Sequence, residues 1–215
     1  MENITFEEAR GWYQDADPVH DFDHVLRVYR LAERIAQAEG ADLEIVRTAA
    51  LLHDSQGSAP DSPGEERAEH HIASAEFAGE VLLEKGWPQE KIQAVQHCIR
   101  AHRFRGKEDA PETLEAKVLF DADKLDVLGA IGAARTVAYA ALDNQPIFSE
   151  PSQKFITTGK KEIGEPHSSY HEYLFKLRKV KDRMFTRTGK ILADARHAYL
   201  VEFYTQLRAE VRGER

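Results

Sequence analysis

The stretch AALLHDSQGS, residues 49–58, runs an apolar helical pattern into His53 and Asp54 and then stops at Gly57. Two adjacent ionisable side chains at the buried end of a helix are costly unless something satisfies both, and a metal ion would do so. His24 stands one turn before Val28 on a second apolar stripe, and LFDADKLD sets Asp121 and Asp123 within a third. Two residues apart on a helix, those aspartates point to nearly opposite sides, so only one of them completes the set. Taken singly, a histidine on an apolar face is most often a satisfied core residue. Three separate stripes that each meet His or Asp change that reading, because buried carboxylates without partners are disfavoured as anions and one divalent cation neutralises all of them. Two imidazoles and two carboxylates form a mixed nitrogen and oxygen set, suited to Mn²⁺ foremost and to Fe²⁺, Co²⁺ or Ni²⁺, with Mg²⁺ less suited to imidazole. The set contains no thiolate, which excludes a cysteine-bound zinc site. Four protein ligands leave two octahedral positions for water and substrate.

The elements that must position these residues are helical. Thr5-Phe6-Glu7-Glu8 reads as a capping box that opens a short first helix. Val28, Leu31 and Ile35 recur at helical spacing between Asp23 and Ala38, with His24 on the same face and Gly40 as the stop. Asp42 is placed to N-cap the next helix, whose stripe Val46, Ala49, Ala50 continues into His53. The turn formers of SQGSAPDSPG predict a loop, after which a helix runs from about Glu65 to Gly86. Pro88 suits the first turn of a further helix, and its stripe Ile92, Val95, Ile99 reaches His102. The segment ETLEAKVLFDADKLDVLGAIGAARTVAYAALD predicts one long helix with Asp121 and Asp123 in its middle. Residues 144–167 lack a clear period and predict a long excursion, a lid or a rim in which Phe148 and Phe155 cover a substrate. Two amphipathic helices follow, over 168–185 and 188–211. No strand alternation is found, so the fold class is all-α.

At 215 residues and 42% hydrophobic content, the chain is expected to form one domain over 1–215. Asp and Glu outnumber Lys and Arg by 37 to 29, which argues against a broad footprint for duplex nucleic acid. The single cysteine, Cys98, excludes an intrachain disulfide framework and reads as a core residue. The start MENITFEEAR lacks the features of a signal peptide, and no apolar run approaches the roughly 20 residues that span a bilayer, so a cytoplasmic protein without membrane insertion is expected.

The segments HDFDHVLRVYRLAERIA, AALLHD, EHHIASAEFAGEVL, IRAHRFR and LFDADKLDVLGAIGAAR together resemble the HD-domain metal-dependent phosphohydrolases over residues 20 to about 140. The tail DRMFTRTGKILADARHAYLVEFYTQL resembles the C-terminal helices of a single-domain bacterial subgroup. The resemblance implies a compact HD-domain helical bundle with additional C-terminal helices. It also implies metal ligation by His24, His53, Asp54 and Asp123, the last chosen because the family's ligand precedes a basic residue and a leucine, as in Asp123-Lys124-Leu125. Branches that hydrolyse guanosine alarmones carry an acidic pair where this chain has Ser55-Gln56-Gly57-Ser58, which disfavours that activity. The DADKLD-like exit is similar to enzymes that cleave nucleoside triphosphates to monophosphate and pyrophosphate.

Other residues can serve such a site. His20, one turn before His24, can touch a phosphate or orient that ligand. His71 shares a face with Ala75, Ala78 and Leu82 and points inward as a substrate-binding candidate, while His70, offset by about 100°, is expected in solvent. His102, Arg103 and Arg105 end an apolar stripe where phosphate contact and simple helix-end capping both fit. Lys124 can neutralise phosphate charge, and Asp54 can accept a proton from the attacking water while binding the metal. Arg178, Lys179, Lys181 and Arg183 read as a solvated basic face. The leading expectation is a divalent-metal-dependent phosphohydrolase acting on a nucleotide or other small phosphate ester. A nucleoside monophosphate phosphatase and a non-catalytic, metal-stabilised sensor are the alternatives. A homodimer is compatible with the sequence.

Overall fold

The computed structural model of the chain describes residues 2–13, 22–56, 64–104 and 109–215, the side chains of 64–69 excepted. Among the described residues the protein is all-α, without a strand. No single described helix is long and apolar enough to cross a membrane. The chain forms two compact units, Met1–Asp123 with Phe185–Gly189, and Lys124–Met184 with Lys190–Arg215.

The first unit contains α1 (Phe6–Gly11), α2 (Phe22–Glu39), α3 (Leu43–Leu52), α4 (Gly64–Glu84), α5 (Gln89–Ala101) and most of α6 (Leu114–Leu125). The stripes read from the sequence form its core: Val25, Val28, Ala32 and Ile35 of α2, Val46, Ala49 and Ala50 of α3, Val95, Cys98 and Ile99 of α5, and Val118, Leu119 and Phe120 of α6 are all fully buried. Asp42 caps α3 as expected, its carboxylate accepting from Glu44 N and Ile45 N at 2.9 and 3.3 Å. Thr5 caps α1 through Glu8 N at 3.1 Å, but the carboxylate of Glu8 reaches Lys85 at 2.9 Å and not back to Thr5, so half of the expected capping box forms. Tyr13 donates its hydroxyl to Leu51 O at 3.0 Å, and the Trp87 indole donates to Glu2 O at 2.9 Å, fixing the N-terminal segment onto the helices.

The long helix expected over the DADKLD segment is interrupted: α6 ends at Leu125 and α7 (Gly129–Leu142) begins after three intervening residues. Gly129 takes φ +71°, which closes the α-helical path. The ends are held by side chains, since Arg196 donates to Leu125 O at 2.6 Å and Arg135 pairs with Asp126. Sequence periodicity misses this break because Leu125 and Leu128, on either side of it, are both buried.

In the second unit, residues 144–167 hold a short helix, α8 (Gln153–Thr158), capped by Ser152. The helix expected over 168–185 is α9 (Ser169–Glu172), a π-helical turn over Tyr173–Leu177, α10 (Arg178–Val180) and a 3₁₀ turn over Lys181–Arg183. The last helix, α11 (Arg187–Val211), starts within the residues of the first unit and continues into the second. Tyr173 and Tyr204 stack at 4.4 Å between ring centroids, and Phe148 lies 5.0 Å from Tyr170. Phe155 is buried against His171 at 4.6 Å, so it packs inside this unit instead of standing free as a cover.

Candidate metal centre

Five helices of the first unit bring their polar residues to one place. His24 lies on the first turn of α2, one turn before buried Val28, and is 2% exposed. The helical φ/ψ of His53 ends α3, and Asp54 follows it. The peptide oxygen of Ala50 lies 2.9 Å from His53 Nδ1. That nitrogen therefore carries the proton, and Nε2 offers its lone pair to the cluster. His53 Nε2 stands 3.4 Å from His24 Nε2 and 3.4 Å from Asp54 Oδ2. His24 Nε2 stands 3.8 Å from Asp54 Oδ2 and 3.6 Å from Asp123 Oδ1. Ligand atoms bound to one ion at about 2.0–2.2 Å lie roughly 3–3.5 Å apart, so the four side chains are spaced to share a divalent cation with little adjustment. Two imidazole nitrogens and two carboxylates in a buried place also make an unfavourable grouping without a cation.

The other oxygen of Asp54 faces a second group. His70 Nε2 lies 3.0 Å and His102 Nε2 3.3 Å from Asp54 Oδ1. The Arg103 guanidinium donates to His70 Nδ1 at 2.7 Å. A guanidinium only donates, so His70 Nδ1 is the acceptor and Nε2, 3.0 Å from Asp54 Oδ1, carries the hydrogen. His102 Nδ1 lies 2.5 Å from Ile99 O, the same arrangement that His53 makes with Ala50. Asp54, His70 and His102 thus also meet the spacing of a three-ligand cation group. Burial opposes ionisation of Asp54, but His53 beside it, followed by the close approach of His102 and His70 to Oδ1, holds its carboxyl well below the usual range. Burial pushes His102 down to about 4, against the opposing pull of Asp54.

The two aspartates of α6 point to different partners. Asp123 joins the cluster, whereas Asp121 is fully buried and accepts from Phe185 N at 2.9 Å, Thr186 N at 2.8 Å and Thr186 Oγ1 at 2.6 Å. His71 is buried, as expected, with its ring 6.5 Å from that of His102. His70 was expected in solvent and is instead at the centre, a correction with a visible cause. Its turn of α4 carries a polar stripe: Ser74, four residues on, is fully buried and accepts from Gln56 N at 3.1 Å, anchoring the backbone after Asp54. Reading His70 with Ser74 as one inward face would have found it. Lys124 follows Asp123 near the end of α6 and is half-buried. His20 and Arg105 lie outside the described residues.

Residues 21–128 match the HD domain family pattern. The chain is 32% identical over 215 residues to the Bacillus subtilis protein YpgQ, covering 96% of this chain and 94% of that one. The crystal structure of Bacillus subtilis YpgQ in complex with ADP is similar at TM-score 0.72 and 30% identity, with 95% of this chain and 94% of that one covered. An HD-superfamily hydrolase from Bacillus thuringiensis is similar at TM-score 0.69 and 28% identity, with 96% and 94% covered. The chain belongs to the HD-domain superfamily of metal-dependent phosphohydrolases.

Proposed function

We propose that the chain hydrolyses nucleoside triphosphates to the monophosphate and pyrophosphate, with a single Mn²⁺-type ion held by His24, His53, Asp54 and Asp123. The observation that carries this reading is the fixed tautomer of His53. Its Nε2 lone pair meets His24, Asp54 and Asp123 at ligand spacing, while Arg103 keeps a hydrogen on His70 Nε2 and so favours a hydrogen bond to Asp54 over a second ion. The ADP complex of YpgQ supports a nucleotide as the small-molecule partner.

The ion, when bound, supplies a water of lowered pKa and polarises a phosphoryl oxygen. Asp54 presents Oδ2 to the ligand set and Oδ1 to His70 and His102, so its rotamer is held from both sides. Held there, its carboxylate would be able to take the proton of an attacking water. Arg103 brings a fixed positive charge through His70 and offsets charge that accumulates on phosphoryl oxygens. Phosphorus NMR of the products across a nucleotide panel with Mn²⁺ tests the reading. Pyrophosphate with a nucleoside monophosphate is expected, and orthophosphate as the sole inorganic product refutes it. In ¹⁸O-labelled water the label is expected in the monophosphate, the mark of attack at the α-phosphorus.

A further inference from the structure

The second unit contains a cavity of about 320 Å³, within the size of small-molecule sites. Its residues are separate from the metal-centre cluster: Phe155, Tyr170 and Phe175 give it aromatic walls, and Arg178, Lys179 and Arg208 give it positive charge. We propose that this cavity binds a small aromatic anion, a planar ring carrying phosphate, at a site apart from the metal centre.

The aromatic part is built. Phe155 is 4% exposed and supported by the His171 ring at 4.6 Å, and Phe175 stands 6.2 Å from it. Gly159 ends α8 at φ +71°, and a Cβ there would lie 2.7 Å from Phe175 Cε2, so the ring closes over a place only glycine leaves open. The π-helical turn over Tyr173–Leu177 adds a residue to the helical path between α9 and α10, and Phe175 with Arg178 and Lys179 line the same cavity.

The charge is uncompensated. Three other cations of this unit are paired, Lys176 with Glu172 at 3.1 Å, Lys181 with Asp194 at 3.1 Å and Arg212 with Glu150 at 2.9 Å. Among the described residues, Arg178, Lys179 and Arg208 have no carboxylate within ion-pair distance. Glu150, the one acid lining the cavity, is taken by Arg212. Lys179 Nζ lies 5.3 Å over the Phe175 ring, so cation and aromatic face already share one wall. Three cations beside an aromatic surface match a ring that stacks and an anionic group that receives guanidinium hydrogen bonds. The basic run 178–183 is thus divided: its first two residues line the cavity, and Lys181 is paired at Asp194.

The test is photolabelling of the full chain with 8-azido-ADP in the presence of EDTA, followed by peptide mapping, on wild type and on the Arg178→Gln/Arg208→Gln double variant. Labelling of peptides containing Phe155, Tyr170 or Phe175 is expected, competed by ADP and not by orthophosphate. The double variant, folded as judged by circular dichroism, is expected to weaken labelling on the order of tenfold or more per guanidinium removed. Labelling confined to residues 22–123, no labelling, or labelling unaffected by the double substitution overturns the proposal. Product analysis keeps the two readings separate: a chain that releases no pyrophosphate yet labels here refutes the proposed activity alone, and a double variant that retains turnover without labelling locates the anion away from catalysis.

Discussion

Replacing Asp121 separates an anchoring carboxylate from the proposed metal ligand Asp123, two residues away. Its oxygens accept three hydrogen bonds, two from backbone N–H groups and one from a hydroxyl, at 2.6–2.9 Å. Oδ2 takes both Thr186 donors and Oδ1 takes Phe185 N, while Thr186 Oγ1 in turn accepts from Gly189 N at 2.9 Å and caps the start of α11. Asparagine keeps an oxygen on one side only, so its amide NH₂ confronts at least one N–H donor. A hydrogen bond to a charged acceptor contributes about 1.5–3 kcal/mol, and a buried donor left without an acceptor costs about 1–3 kcal/mol. Asp121→Asn, which forfeits one bond and weakens the others, is therefore expected to lose about 2–3 kcal/mol, and Asp121→Ala about 3–5 kcal/mol. For a chain of this size that lowers the thermal midpoint by about 4–12 °C for Asn. The assay is thermal unfolding by circular dichroism at matched metal occupancy, with metal content by mass spectrometry beside it. Asp123→Asn should give the opposite pattern, with metal lost and the midpoint of the metal-free protein nearly unchanged. An Asp121→Asn protein that unfolds at the wild-type temperature but has lost its metal would show that the carboxylate works at the cluster and that the anchoring argument is wrong.

His53→Ala should remove the bound divalent ion while leaving the metal-free fold intact, because alanine continues α3 readily; unchanged metal content refutes the ligand assignment. Cys98 is fully buried, and burial pushes its thiol up, so Ellman's reagent should react only after unfolding, and prompt reaction in native buffer would contradict the packing of α5. Glu165 is held down at about 2, first by Ser152 N and then by Glu162 N, the Ser152 hydroxyl and His171, against burial. Since its folded value lies below the unfolded 4.5, its contribution is complete above 4.5 and lost as pH falls toward 2. Burial lowers His171 against Glu165, with His167 and Lys161 adding to the fall, so the unfolded chain binds the extra proton and stability also declines below pH 6.5. Glu165→Gln should flatten the limb between pH 4.5 and 2 in acid unfolding of the second unit; an unaltered limb removes Glu165 from the account.

The helices were legible because their apolar stripes repeat at the helical period, and the same stripes carried His24, His53 and His102 inward at known register. The cap at Asp42 was legible because its partners lie two and three residues away. What escaped depended on partners distant in sequence. Nothing within a turn of Asp121 announces that its carboxylate meets Thr186, 65 residues on. The break between α6 and α7 rests on Arg135 and Arg196, and the apolar pattern runs through it without a change of period. His70 escapes an apolar pattern because the face it shares with Ser74 is polar and buried.

The return of Phe185–Gly189 to the first unit sets an order of events during synthesis. The helix that bears Asp123 is made early, but the donors that hold it through Asp121 emerge 65 residues later. At about 5–20 residues per second on the ribosome, the interval is roughly 3–13 s. Through that interval the nascent helices carry the histidines and aspartates of the cluster while the Asp121 carboxylate lacks its Phe185 and Thr186 donors. Cation capture and the locking of α6 are then separate events in time, and a chain stalled before Thr186 holds a metal-binding sequence whose last helix is not yet fastened.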